Sequence, residues 1–190
     1  MAVFDTDIKN AVAVLREGGT ILYPTDTIWG IGCNAADPAA VEKVYQVKNR
    51  PAEKSMIILL AQERDILQYV AALDLAVFDL LDQQTKPTTV IYDNAVNLPD
   101  NLVNQDGSVA IRVVQDEFCR HLIKRLQHPL VSTSANLSGQ PSPANFSLIS
   151  DEVKTAVDYI VQYKQDIIAP QQASTILRWH ADGTHTVIRP

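Results

Sequence analysis

The 190-residue sequence predicts one α/β domain, in which a twisted mixed sheet is flanked by helices and forms a concave ligand cavity. Short runs rich in Val, Ile and Thr alternate along the chain with amphipathic stretches of helical period. No linker-like segment divides the chain, so residues 1–190 are taken as one domain. Hydrophobic residues make up 46% and charged residues 20%, which is typical of a globular protein with a substantial core.

The predicted helices carry apolar residues at spacings of three and four and begin and end at recognisable signals. Asp7 can cap the first helix, and the pair Gly18-Gly19 ends it. The second helix begins at Pro38, and Pro51 ends it because proline disfavours helical geometry in the preceding residue. In chain order, helices are expected over 7–17, 38–50, 62–72, 74–83, 116–127 and 147–156.

The predicted strands are short β-prone runs bounded by proline, glycine or polar residues. The run from Ser55 to Ala61 is continuously apolar, which indicates a strand buried on both faces. The last two runs flank a turn around 181–183 and so predict a hairpin. In chain order, strands are expected over 20–23, 28–31, 55–61, 88–92, 108–114, 129–132 and 158–162, followed by the hairpin at 174–180 and 184–190.

Charge and cysteine content exclude several classes of protein. The net charge of −6 and the pI near 5.1 argue against a protein whose main role is to grip nucleic acid, but they allow a local cationic pocket. Cys33 and Cys119 are far apart, so neither a structural disulfide nor a zinc site is expected. The N-terminus lacks the pattern of a signal peptide, and no apolar run is long enough for a membrane helix. We therefore expect a cytoplasmic protein without membrane contact.

Several standard motifs are absent, and two polar segments remain as candidates. There is no Walker loop, no GxGxxG, HExxH or GxSxG motif, and the histidines show no metal-ligand spacing, so no metal site is expected. The bend Pro24–Thr27 carries two hydroxyls, and Lys48 and Arg50 leave the second helix two residues apart. Together they suit an anionic ligand. The alternative is an ordinary turn and a solvated helix end that complements the helix dipole.

Two further features of the sequence are also consistent with a site for an anionic ligand. Arg112 lies in the apolar run SVAIRVV, so it needs either an anionic partner or an edge strand that exposes it to water. The stretch STSANLSG, Ser132 to Gly139, follows an apolar strand and offers many neutral donors and acceptors. Such a loop can surround phosphate oxygens or the carboxylate and ammonium of an amino acid, although it can also be a plain loop of turn-forming residues.

Five segments occur in the order seen in the YrdC/Sua5 family, which the sequence resembles from Gly18 to Arg189: YPTDTIWGIGCNA, KNRP, SVAIRVV, STSANLSGQPSP and ASTILR…VIRP. The resemblance implies a short-form threonylcarbamoyl-AMP synthase, which begins synthesis of the t6A modification of tRNA. It also implies a positively lined cavity for ATP with Mg²⁺, L-threonine and bicarbonate. A threonine carbamate would attack the α-phosphate of ATP, and pyrophosphate would leave.

The resemblance also carries over individual site residues. Matches to the family's KxR and SxN pairs are expected to be catalytic: Lys48, Arg50, Ser134 and Asn136. The residues expected to contact threonine are Thr27, Arg112, Ser132 and Ser174. The residues expected to contact ATP are Arg50, Lys54, Ser108, Ser134, Ser142 and Arg189. No protein ligand to a metal is expected.

The sequence departs from the family pattern at two places. Leu59 stands where the family often has histidine, and Lys86-Pro87 replaces a glycine-proline turn, so details of the pocket are open. The alternatives are a YciO-like paralogue, which loss of the KxR and SxN pairs would favour, and a non-catalytic RNA-binding protein, which the acidic pI disfavours. Expected partners are a downstream threonylcarbamoyl transferase and weak or indirect contact with tRNA.

Overall fold

A computed structural model describes residues 3–49, 56–167 and 172–190. Within these residues nine strands form one mixed sheet in the order β7-β1-β2-β6-β3-β5-β4-β8-β9. The strands are β1 (Ile21–Tyr23), β2 (Gly30–Gly32), β3 (Ile57–Leu60), β4 (Thr88–Tyr92), β5 (Val109–Val113), β6 (Leu130–Ser134), β7 (Tyr159–Ile160), β8 (Thr175–Trp179) and β9 (His185–Arg189). The pairs β1–β7, β3–β5 and β4–β8 are parallel and the others antiparallel.

Helices flank this sheet on both faces, which confirms the predicted α/β class. The α-helices are α1 (Asp5–Arg16), α2 (Pro38–Lys48), α3 (Ala76–Asp82), α4 (Glu117–Leu126) and α5 (Asp151–Ala156), and short 3₁₀ turns cover Glu63–Gln68, Asp100–Leu102 and Phe146–Leu148. Among the described residues, no helix is long and apolar enough to cross a membrane.

The cap predicted at Asp7 is wrong. Helix α1 begins at Asp5, and the Asp7 carboxylate instead accepts hydrogen bonds from the backbone N–H groups of Gln162 and Tyr163, at 3.0 and 2.9 Å, and from the Tyr159 hydroxyl at 2.6 Å. These partners are more than 150 positions away in the sequence, so no local pattern reveals them. The buried carboxylate ties the β7 edge of the sheet to α1.

Two other predicted helices are shorter than expected. The stretch 62–72 contains only the 3₁₀ turn Glu63–Gln68, because Val70 forms a β-bridge with Ala95 and draws the chain out of helical geometry. The stretch 147–156 divides into the turn Phe146–Leu148 and helix α5, which Ser150 caps. In the first stretch a tertiary contact overrides a helical pattern, and in the second the local cap at Ser150 starts the helix later than expected.

The two faces of the sheet have separate cores, and this difference creates room for a ligand. One core contains apolar residues of α2, α3 and α5 and strand residues such as Ile58 and Leu60. The other contains α1, α4 and the opposite-facing Leu59 and Leu130. Because side chains alternate along strands, Ile57 and Ser132 share the face of Leu59 and Leu130. They line a cavity beside the α1–α4 layer.

Glycines in β2 let a tyrosine from β1 cross that strand. The Tyr23 hydroxyl donates to the carbonyl oxygen of Val131, on β6, at 3.1 Å. A Cβ atom on Gly32 would lie 2.1 Å from that oxygen and 2.8 Å from Tyr23 Cε1. Only glycine fits at this position, and the crossing tyrosine fixes β1 and β6 relative to each other below the cavity.

Candidate functional site

A cavity of about 300 Å³ opens on the face that α1 and α4 leave uncovered. Apolar side chains of Ile57, Ile91, Ala110 and Ile176 form part of its wall. The predicted site residues that line it are Thr27, Arg112, Ser132, Ser134, Ser142, Ser174 and Arg189. Residues from distant parts of the sequence thus meet in a cavity that combines hydroxyls with two guanidinium groups, which suits an anionic ligand with an apolar part.

Arg112 is buried, which decides between the two interpretations of its strand. Its exposed fraction is 3%, and its Nη2 atom lies 3.2 Å from Oδ1 of Asp26. The pair is close enough for an ionic contact but is not aligned as a hydrogen bond, so Nε and Nη2 of Arg112 lack an acceptor among the described residues. A buried guanidinium with unsatisfied donors beside a cavity is suited to a ligand carboxylate or phosphate.

Asp26 is held in place from the other side. Its Oδ2 atom accepts a hydrogen bond from the backbone N–H of Gln115, at 3.1 Å. Gln115 lies two residues after the end of β5, and the next residue, Asp116, caps α4. The carboxylate therefore connects the bend before β2 to the start of α4. Sequence reasoning noted the bend but assigned Asp26 no role, because its partners lie 86 and 89 positions further along the chain.

The two threonines of the bend have a defined hydrogen-bond direction. Thr25 Oγ1 donates to the Ile28 carbonyl oxygen at 2.7 Å and lies 2.9 Å from Thr27 Oγ1. Because a hydroxyl has one proton, Thr27 must be the donor in the second contact. The remaining lone pairs of Thr27 Oγ1 are then acceptors only. At the cavity wall they suit an ammonium or hydroxyl donor of a ligand.

Ser174 connects the end of the chain to the centre of the sheet. Its hydroxyl lies 2.8 Å from that of Thr89, on β4, and its carbonyl oxygen accepts from Arg189 Nη2 at 2.7 Å and Nε at 3.1 Å. Thr89 pairs with Arg112 across β4 and β5. The hydroxyl pair and the two arginines are therefore neighbours. Sequence reasoning missed Thr89, which lies in an ordinary β-prone run.

A β-bulge directs Arg189 into the cavity. Strands β8 and β9 pair in a regular antiparallel register from Leu177–Val187 to Trp179–His185. The next residue of β8, Ile176, pairs with Arg189, so Ile188 is the additional residue of the bulge. Without the bulge Arg189 would lie opposite Thr175, whose side chain points to the other face. Ile176 lines the cavity, so the bulge places Arg189 on the cavity face.

Two guanidinium groups bring positive charge to the cavity wall, and among the described residues only that of Arg112 lies beside a carboxylate, the one of Asp26. Burial lowers the pKa of Arg189, and the charge of Arg112 lowers it further. An anion placed between the two guanidinium groups would relieve their mutual repulsion. The cavity is therefore predisposed to bind negative charge, although the net charge of the whole chain is −6.

The predicted catalytic residues are only partly brought to this cavity. Ser134 lines it. The Asn136 amide nitrogen instead donates to the carbonyl oxygens of Leu137 and Gln140, at 2.9 and 2.7 Å, and shapes its own loop. Lys48 is buried below that loop and does not line the cavity. The loop also begins later than expected, because β6 continues through Ser134 by pairing with Gly30.

The remaining predicted nucleotide contacts have different locations. Ser142 lines the cavity, whereas the Ser108 hydroxyl donates to Asp106 at 2.6 Å in the turn before β5, so the structure does not bring Ser108 to the cavity wall. Arg50 and Lys54 lie outside the described residues. The roles of all four in ligand binding stay predictions.

The two departures from the family pattern also have clear locations. Leu59 is fully buried in the α1–α4 layer rather than at the cavity. Lys86 and Pro87 line a second cavity of about 350 Å³ together with Asp26 and Thr27. The first departure therefore adds to the core, and the second changes the surroundings of the bend.

Fold and cavity together define an α/β protein that presents an electropositive, hydroxyl-rich pocket on one face of a mixed sheet. A family model described as "Telomere recombination", for Sua5, YciO and YrdC proteins, matches residues 13–190. The chain belongs to this Sua5/YciO/YrdC family. A curated relative from Idiomarina loihiensis, named threonylcarbamoyl-AMP synthase, is 34% identical over 146 residues, which cover 75% of this chain and 78% of the relative.

Solved structures have the same fold. P. abyssi Sua5 in complex with L-threonine matches with a TM-score of 0.86 at 24% identity and covers 100% of this chain, which spans only 55% of that longer protein. E. coli YciO matches with a TM-score of 0.83 at 25% identity and covers 97% of this chain and 88% of its own. The fold is therefore that of both subgroups, and the residues of the site must decide between them.

Proposed function

We propose that this protein is a threonylcarbamoyl-AMP synthase that forms L-threonylcarbamoyladenylate and pyrophosphate from L-threonine, bicarbonate and ATP for the t6A modification of tRNA. The observation that carries the proposal is the buried Arg112, whose unsatisfied donors line a hydroxyl-rich cavity. Curated relatives that are at least 30% identical in sequence to this chain, over most of its length, have this name.

Threonine would bind between Arg112 and the bend. The guanidinium of Arg112 would pair with the substrate carboxylate, and the acceptor lone pairs of Thr27 would receive the ammonium or hydroxyl group. Ser132 and Ser174 would add hydroxyl contacts from β6 and from the residue before β8. These groups are held by strands and by hydrogen bonds of their own, so little ordering would be needed on binding.

The nucleotide would occupy the part of the cavity lined by Arg189, Ser134 and Ser142. The family resemblance adds Arg50 and Lys54 as cations for the triphosphate. Mg²⁺ would arrive with ATP, because the phosphate oxygens supply the hard ligands that it prefers. Among the described residues no cluster of three His, Cys, Asp or Glu side chains could hold a metal ion.

The reaction requires two bond-forming steps. The threonine amine, after losing a proton, adds to CO₂ derived from bicarbonate and gives a carbamate. A carbamate oxygen then attacks the α-phosphorus of ATP, and the bond to the bridging oxygen breaks so that pyrophosphate leaves. Positioning and positive charge suffice for both steps, so neither step needs a covalent nucleophile.

The experiment that tests this function measures pyrophosphate released from ATP and bicarbonate with and without L-threonine. We expect release that depends on threonine and that, at low threonine concentration, falls at least about tenfold when Arg112 is replaced by methionine. Absence of release from a folded protein that binds ATP would contradict the proposal and favour the YciO-like alternative. Salt-sensitive tRNA binding without nucleotide affinity would favour the RNA-binding alternative.

The proposed setting of the enzyme follows from its product. Threonylcarbamoyladenylate is a reactive acyl adenylate, so a downstream threonylcarbamoyl transferase must take it up and transfer the acyl group to tRNA. Contact of this chain with tRNA would be weak or indirect, as expected for an acidic protein. The proposed location is the cytoplasm, where ATP and tRNA are available.

A further inference from the structure

Lys48 is hydrogen-bonded to the backbone of the loop at residues 134–140, which follows β6. It is the last residue of α2, its exposed fraction is 1%, and its ammonium donates to the carbonyl oxygens of Ser134 and Asn136, each at 2.6 Å. Its own carbonyl oxygen accepts from the N–H of Ser138 at 2.8 Å. Three hydrogen bonds from one residue therefore hold the backbone of residues 134–138.

The local chain geometry keeps the ammonium in this position. Asn49, which follows Lys48, adopts a left-handed conformation with φ of 48° and ends the helix. The loop is closed at its other end by Asn136, whose amide nitrogen donates to Leu137 and Gln140. Its backbone carbonyls at 134 and 136 point toward Lys48, while Ser134 lines the cavity.

We propose that Lys48 is a positioning residue, which fixes the loop backbone so that Ser134 faces the ligand, and that it does not contact the phosphates of ATP. The assignment of nucleotide contacts to the loop rests on the proposed function. The position of Lys48 does not, because it follows from the burial of its side chain and from its hydrogen bonds to the carbonyl oxygens of Ser134 and Asn136. Charge-assisted bonds of this kind are strong, so the loop depends on them.

Helix α2 offers a matched control. Lys43 lies on the same helix and also donates to a backbone carbonyl, that of Gly18, at 2.7 Å. In contrast to Lys48 it is exposed, and the turn that it contacts is not part of the cavity. Chemical modification and substitution of the two lysines therefore separate the effect of the loop contact from the general effect of losing a lysine.

The first test uses the wild-type protein and acetic anhydride, with peptide mass spectrometry to follow acetylation of each lysine. Lys48 should be acetylated at least about tenfold more slowly than Lys43, because reagent reaches a buried amine only through local opening. This difference should be the same with and without Mg²⁺-ATP. Rapid acetylation of Lys48 in the free protein, with protection by ATP, would overturn the proposal.

The second test compares the variants Lys48→Met and Lys43→Met by hydrogen exchange without ligand and by turnover. Exchange in residues 134–140 should accelerate at least about tenfold in Lys48→Met and remain unchanged in Lys43→Met. Turnover at saturating ATP should fall in Lys48→Met only. Unchanged exchange at 134–140, or a defect that excess ATP restores fully, would show a phosphate contact instead and overturn the proposal.

These readouts also separate this inference from the proposed function. If wild-type protein releases no pyrophosphate, the synthase proposal fails, whereas acetylation and hydrogen exchange still report on Lys48. If wild-type protein is active but Lys48 reacts as an open cavity residue, the positioning role fails and the synthase proposal remains.

Discussion

The contact between Asp26 and Arg112 should affect both stability and substrate binding. Loss of either residue should destabilise the fold, whereas the two losses should have different effects on threonine binding. Both side chains are buried: counting side-chain atoms alone, Asp26 is 8% exposed and Arg112 is 4% exposed, and the closest nitrogen and oxygen atoms are 3.2 Å apart. Removing one partner leaves the other charge buried without compensation, which costs about 3–5 kcal/mol for a well-formed pair. Because this pair is not aligned as a hydrogen bond, we expect the lower end, about 3 kcal/mol, for Asp26→Asn or Arg112→Met.

Replacing both residues should cost much less than the sum of the single changes, since a buried ion pair can be exchanged for neutral groups with little loss. The double variant Asp26→Asn/Arg112→Met should therefore show a coupling free energy of at least about 2 kcal/mol. Asparagine at position 26 can still accept from the N–H of Gln115, so that hydrogen bond is retained in the cycle. Urea unfolding of the four proteins measures the coupling.

Threonine binding separates the two residues. Arg112→Met should weaken threonine binding at least about tenfold, because hydrogen bonds to a charged partner contribute about 1.5–3 kcal/mol. Asp26→Asn retains the guanidinium and removes its competing carboxylate, so threonine should bind at least as tightly as to the wild type. Titration calorimetry at fixed ionic strength measures both. Additive unfolding free energies, or undiminished threonine affinity in Arg112→Met, would refute this reasoning.

Three further changes test how the fold builds the site. Gly32→Ala should lower the free energy of unfolding in urea by about 3 kcal/mol, the upper end of the usual cost of overpacking, because its Cβ would overlap the Val131 carbonyl oxygen; a loss below about 1 kcal/mol would contradict the close packing. One alanine inserted after Ile188 should turn Arg189 to the opposite face and raise the KM for ATP about as much as Arg189→Ala does, whereas an unchanged KM would exclude the role of the bulge. Burial raises the pKa of Cys119 and the charges of neighbouring carboxylates raise it further, so the unfolded thiol ionises first and urea stability should fall as pH rises above about 9. Cys119→Ala should reduce this slope, and an unaltered slope would show that other groups cause it.

The sequence predicted the sheet better than the site. Strands such as Thr88–Tyr92 were predicted correctly because a continuous β-prone run between turn residues is a local signal. The cap at Asp7 and the helix at 62–72 were wrong because their outcome depends on residues about 25 to 156 positions away. Local patterns contain no information on such partners.

The same limit applies to the candidate site. The unusual position of Arg112 in an apolar strand was visible in the sequence, since a charge there must have an explanation. Its partner Asp26 was not, because nothing in the bend indicates that it meets β5. The family resemblance grouped Lys48 with Ser134, and the structure brings these two residues into contact. However, only the structure shows that the lysine holds the backbone of the serine rather than lining the cavity.

The most direct measurement of the proposed function is the mass of the adenylate formed from ATP, L-threonine and ¹³C-labelled bicarbonate. The product should contain the adenylate, one threonine and one labelled carbon. It should be absent when threonine is omitted, and at low threonine concentration it should fall at least about tenfold when Arg112 is replaced by methionine. An adenylate without the labelled carbon, or a product that forms equally well without threonine, would contradict threonylcarbamoyl-AMP synthesis by this protein.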